Sequence, residues 1–150
     1  MRSLPASLVL GLTCWGLAAC GDDRDDGTPT NTGQSCSAAS QCYPEVEEGT
    51  LAGEAVCLDR VEGGYCTHHC VEDSDCCAVP GECLGERAQV CGPFESTGER
   101  YCFLSCEDAD WEDDGFLDGD AYCARWAGAA FICRSTGGGA ANRKVCVPRG

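Results

Sequence analysis

Sixteen cysteines in 150 residues are the side chains of this sequence whose type and spacing promise chemistry. From Cys36 onward they fall into a repeated order. The first set is Cys36-x5-Cys42-x14-Cys57-x8-Cys66, the second Cys70-x5-Cys76-x14-Cys91-x10-Cys102, and the third Cys106-x16-Cys123-x9-Cys133-x12-Cys146. The same C-x3-C step joins successive sets, at Cys66 to Cys70 and at Cys102 to Cys106, and the sets begin 34 and 36 residues apart. The chemistry is oxidation: an even number of cysteines at this density reads as a disulfide framework. Cys77 and Cys83 are additional to the second set and are expected to bond to each other. Within each set four cysteines allow three pairings and spacing does not choose among them; first-to-third with second-to-fourth is the pairing expected here.

Two further groups carry chemistry of other kinds. Cys66-Thr67-His68-His69-Cys70 offers two thiols and two imidazoles, formally enough for tetrahedral zinc. Both cysteines, however, hold joint positions that recur as Cys102 and Cys106 around Phe103-Leu104-Ser105, so bridging sulfurs and exposed histidines are expected instead. The third set is enlarged by an acidic insertion, in which Asp110, Glu112, Asp114, Asp118 and Asp120 alternate with Gly115 and Phe116. This run resembles an EF-hand calcium loop, with a glycine after the third ligand place, but Ala121 stands where a bidentate glutamate is required. The expected role is a solvated acidic segment facing the bases Arg125, Arg134, Arg143, Lys144 and Arg149, with calcium as the alternative. Trp111 and Phe116 lie inside the insertion and are the side chains expected to meet a partner.

The elements that must position these groups are short. A β-branched residue precedes each third cysteine, in Val56-Cys57, Val90-Cys91 and Ile132-Cys133, and Tyr65, Tyr101 or Val145 precedes each fourth. Gly-rich or Pro-containing stretches separate them, which is the pattern of hairpins. The fold class expected is small and disulfide-rich: three tandem cysteine-rich units, residues 36–69, 70–105 and 106–150, with short β-hairpins, little helix and a minimal hydrophobic core. Leu, Ile, Val and Phe make up only 18 of the residues after Cys20. So poor a supply of apolar surface cannot by itself offset roughly 1 to 2 kcal/mol of backbone entropy per residue; bridges worth about 2 to 4 kcal/mol each must assist.

Ahead of the units, Arg2, an apolar stretch from Leu4 to Trp15 and Leu17-Ala18-Ala19-Cys20 have the layout of an export signal. The ending resembles the lipobox of bacterial lipoproteins. That resemblance implies that residues 1–19 are removed, that Cys20 is acylated, and that residues 20–35 form a flexible acidic tether. Gly21, standing where an inner-membrane retention aspartate would be, implies the outer membrane in a source that has one. The units themselves, with Cys70-Val71-Glu72-Asp73-Ser74-Asp75-Cys76 the clearest segment, resemble the tandem cysteine-rich repeats of exported bacterial proteins, which implies an extracytoplasmic scaffold.

The whole chain carries a net charge of −15, and losing Arg2 lowers the mature chain by one further charge. Phosphate backbones would be repelled, so nucleic acid is not an expected partner. No G-x-S-x-G, H-E-x-x-H or phosphate-loop motif occurs, and Lys144 is the only lysine. The expectation is a lipid-anchored cell-envelope protein with a non-catalytic binding, adhesion or structural role, its partners the membrane through acyl-Cys20 and a protein or glycan at the envelope. No cofactor is required. The alternatives are a calcium-stabilised adhesive module and a small extracytoplasmic hydrolase using paired carboxylates.

Overall fold

The computed structural model describes residues 31–83, 87–94, 98–137 and 139–150; residues 1–19, expected to be an export signal, and Cys20, the expected acylation site, lie outside the described residues. Three antiparallel hairpins carry the chain: β1 (Ala55–Cys57) with β2 (Cys66–His68), β3 (Gln89–Pro93) with β4 (Arg100–Leu104), and β5 (Phe131–Ser135) with β6 (Lys144–Pro148). In each, the third and fourth cysteines of the set face one another in register, Cys57 with Cys66, Cys91 with Cys102 and Cys133 with Cys146. They are not bonded to each other. Each reaches into the loop ahead of its hairpin, giving Cys36–Cys57 and Cys42–Cys66, Cys70–Cys91 and Cys76–Cys102, Cys106–Cys133 and Cys123–Cys146. Cys77–Cys83 is the seventh bridge. A unit is therefore a loop fastened to both strands of its own hairpin, the first-to-third and second-to-fourth arrangement. So dense a set of bridges belongs to an oxidising, extracytoplasmic compartment.

Strand alternation explains why residue types repeat along with the sulfurs. Successive side chains point to opposite faces of a strand. Each fourth cysteine turns toward its own loop, and its predecessor turns the other way. Tyr65, Tyr101 and Val145 therefore meet in one buried cluster, joined by Phe103 and Val147 two residues further along their strands. Leu58, Val61 and Val90 complete it. Aromatic rings fill the space between units, with Tyr65 5.4 Å from Phe103 and Phe94 5.7 Å from it. The small supply of apolar residues is thus concentrated where the hairpins touch.

The joints repeat in detail. His69 bridges to Tyr101 and Cys70 N donates to Arg100 O; one unit later Ser105 bridges to Val145 and Cys106 N donates to Lys144 O. Each C-x3-C step thus lays the end of one hairpin along the last strand of the next. The chain enters the first unit in a related way, which corrects the expected tether boundary. Gly33 N donates to Cys66 O, Cys66 N to Gln34 O and Cys36 N to Gly63 O. Asn31 and Thr32 are buried. Residues 31–35 belong to the folded body, because the outer edge of β2 would otherwise present unpaired backbone groups. Gly64, at φ +71, allows this approach; an added Cβ there would overlap the Cys36 carbonyl.

Among the described residues α-helix is confined to the third unit, where the acidic insertion forms α1 (Asp108–Glu112) and α2 (Gly119–Trp126); the first two units carry only single 3-10 turns at Ala39–Gln41 and Asp73–Asp75. Glu107 and Asp110 form a capping box on α1, and Asp118 Oδ1 caps α2 by accepting from Ala121 N at 2.8 Å. Acids at helix starts satisfy free N–H groups and suit the positive end of the helix. The segment is capped by the charges that made it look like a solvated loop.

Candidate functional site

The most deeply enclosed titratable groups are His68 and Glu82, both fully buried, with Nε2 to Oε1 at 2.7 Å. His68 lies at the end of β2 and Glu82 in the loop closed by Cys77–Cys83. The ring's Nδ1 meets the His69 carbonyl oxygen at 2.9 Å. Both ring nitrogens thus face acceptors, the arrangement of an imidazolium on a carboxylate. Glu82 also accepts from Cys77 N at 2.7 Å and Val79 N at 3.1 Å. Burial alone would raise its carboxyl, but the hydrogen bonds from His68 and these two N–H groups outweigh that and hold it below the usual carboxylate range.

This placement corrects the expectation of exposed histidines. Counting along the joint, His68 stands where Leu104 stands one unit later, at a buried position. The zinc set does not assemble: Cys66 and Cys70 are bridged to Cys42 and Cys91, and His69 packs its ring on Tyr101 at 4.7 Å, away from Glu82's partner. Cys102, close to His68 and Glu82, is likewise bridged.

The five acids of the calcium expectation are dispersed. Asp110 accepts from Ser105 Oγ and from Glu107 N at 2.9 Å, Asp118 caps α2, and Asp120 accepts from Cys133 N at 2.9 Å. Glu112 and Asp114 are exposed on α1 and beyond it. Among the described residues the acidic, thiol and imidazole groups that do converge lie elsewhere, at three bridge junctions and around His68. Lys144 meets Asp108 at 2.6 Å, as expected of the basic tail, whereas Arg143 pairs with Asp73 of the second unit. Trp111 and Phe116 rest half-buried on a second cluster around Tyr122 and the Cys123–Cys146 bridge. Phe116 sits edge-on to Tyr122 at 5.5 Å, and Leu117, 92% exposed, is the apolar side chain at the turn. Burial and the neighbouring carboxylates Asp110 and Asp114 push the Tyr122 phenol up to about 12, although Arg87 opposes them.

Recesses formed by the described residues include three of note. Two of about 190 and 200 Å³ flank Phe94 where the units meet, with charges of both signs around them, Arg60, Asp59 and Glu62 included. The third, of about 590 Å³, lies wholly in the first unit between the 44–54 loop and β1. Its floor is Val46, Leu51 and Ala55, half-buried over Cys42 and Tyr43. Tyr43 is itself fixed: its backbone lies in the left-handed region at φ 56, and its hydroxyl is 2.8 Å from Thr32 Oγ1. Burial raises that phenol well above its usual value, so it stays neutral. The sequence carries one signal of this recess: no basic residue occurs between residues 33 and 59.

No protein family, curated protein or solved structure matches this chain.

Proposed function

We propose that this is a lipid-anchored envelope protein that works by binding rather than catalysis, held to the outer membrane of a two-membrane cell by acyl chains on Cys20. The carrying observation is a preformed 590 Å³ recess whose walls are tied by Cys36–Cys57 and Cys42–Cys66. Such a recess binds without a large ordering cost. The groups nearest to a catalytic pair, His68 and Glu82, are sealed from substrate and serve to join two units. No described helix is long and apolar enough to cross a membrane. Two or more acyl chains give stable attachment, since each buried methylene contributes about 0.8 kcal/mol.

Intact-mass analysis of detergent-extracted protein tests the anchor. The expected species begins at acylated Cys20 and gains two hydrogens for each of seven bridges on reduction. A mature species without acyl mass refutes lipid anchoring.

A further inference from the structure

We infer that the recess of the first unit receives a lysine or arginine side chain of a partner polypeptide, flanked by apolar residues; this deepens the binding role proposed above and rests on it. Three carboxylates, Glu47, Glu48 and Glu54, stand exposed on its rim. None has a hydrogen-bond or ion-pair partner among the described residues. Several acids elsewhere are used, Asp73 and Asp108 pairing with Arg143 and Lys144, Asp75 and Asp110 closing capping boxes and Glu82 holding His68, while others such as Glu112 and Asp114 stand exposed over no recess. What sets the rim apart is its place: its three glutamates surround a recess with an apolar floor, and the described lining contains no basic residue.

The floor determines what kind of cation fits. Val46, Leu51 and Ala55 are apolar and only half-covered. Like charges around a low-dielectric wall reinforce one another's potential, so the complementary ligand carries positive charge at the end of an apolar stem. Lysine and arginine have that construction, burying their methylenes while the head stays at the wet rim. A bare divalent ion fits less well. It needs six or more oxygens drawn together, and these three carboxylates do not converge into a close group. The volume is in the range that accommodates a side chain with its neighbours. Thr32, gripping Tyr43 from below, and the two bridges keep the floor in place before the partner arrives.

The test uses the full mature protein in nonionic detergent and the peptide acetyl-Ala-Leu-Lys-Leu-Ala-amide, titrated by calorimetry. Saturable binding is expected, weakening as salt is raised. E47Q, E48Q and E54Q together should weaken it roughly tenfold, as three exposed charge pairs would. Leu51→Ala should weaken it severalfold without altering the salt dependence. Near-UV circular dichroism and the bridge count establish that each variant is folded. The proposal is overturned if no binding occurs at millimolar peptide, if the triple variant binds unchanged, if a peptide with glutamate in place of lysine binds equally, or if spermidine binds as tightly as the peptide. An acylated protein that ignores the peptide refutes this assignment and leaves the anchor intact; an unacylated one that binds it does the reverse.

Discussion

Replacing Glu82 by alanine isolates the buried contact between the first two units. The change removes the carboxylate from His68, from Cys77 N and from Val79 N, leaving a fully buried imidazole facing a void. Breaking a buried pair from one side costs about 3 to 5 kcal/mol, because the surviving partner keeps its desolvation penalty and loses its compensation. For a body of this size 1 kcal/mol moves the melting temperature by about 4 °C, so a fall of roughly 10 to 20 °C is expected in near-UV circular dichroism with bridges intact. Glu82→Gln keeps the volume and should cost less, about 1 to 3 kcal/mol, since its amide turns one donor toward another. The double variant His68→Leu, Glu82→Met should return to within about 1 kcal/mol of wild type, because an apolar replacement removes both charges at once and position 68 already has a leucine counterpart in Leu104. The lowered Glu82 carboxyl sets the sign of the pH effect. Its contribution is complete above the unfolded carboxylate value of about 4.3 and is lost as pH falls through the lower folded value, so the gap between wild type and Glu82→Gln should close only in that acid range. A melting temperature unchanged in Glu82→Ala, or a double variant as damaged as the single one, refutes a buried ionic contact.

Three other outcomes are expected. Replacing Cys77 and Cys83 by serine opens a loop much shorter than those of the repeated bridges, the separations being 6 and 21 to 27 residues; chain entropy alone gives about 2 kcal/mol against about 3.5 for Cys76–Cys102, so a chemical-denaturation loss well beyond 2 kcal/mol would show that the loop's hold on Glu82 goes with the bridge. Gly119→Ala places a methyl 2.8 Å from the Cys133 sulfur and should produce a fraction lacking Cys106–Cys133, detectable by alkylation mapping; a fully oxidised product of normal stability would contradict that packing. Millimolar calcium should leave Trp111 and Trp126 fluorescence unchanged, since Asp110, Asp118 and Asp120 already accept backbone N–H groups, whereas a saturable response would restore the calcium reading.

What could be read ahead of the structure was whatever depends on order along the chain. Cysteine spacing and the residues before each third and fourth cysteine marked the hairpins, because strand alternation ties a residue's neighbour to the opposite face. The helices of the insertion were also partly legible: Asp118 precedes Gly119 as a cap, and Tyr122 and Trp126 fall four residues apart on one face. The density of acid points instead to a solvated or metal-binding loop, while those same acids satisfy helix starts. The boundary at residue 35 was misplaced for a similar reason. Residues 31–34 are polar, and composition alone does not reveal that Thr32 and Asn31 are taken up by Tyr43 and Gly81.

His68 shows where reasoning from repeats has to be carried one step further. Comparison of the two joints argues against zinc, since Phe103, Leu104 and Ser105 cannot ligate, and the same comparison assigns His68 the environment of a buried leucine. A histidine at such a position requires an acid delivered from elsewhere. The second unit contains the means: two cysteines beyond the repeated four, closing a short loop with Glu82 immediately before Cys83. The additional bridge and the anomalous histidine are therefore one feature seen from two units, an inserted clamp that supplies a charge to a joint built elsewhere from hydrocarbon. The second joint, between Cys102 and Cys106, has leucine at this place and α2 packed against it, and it needs no such clamp.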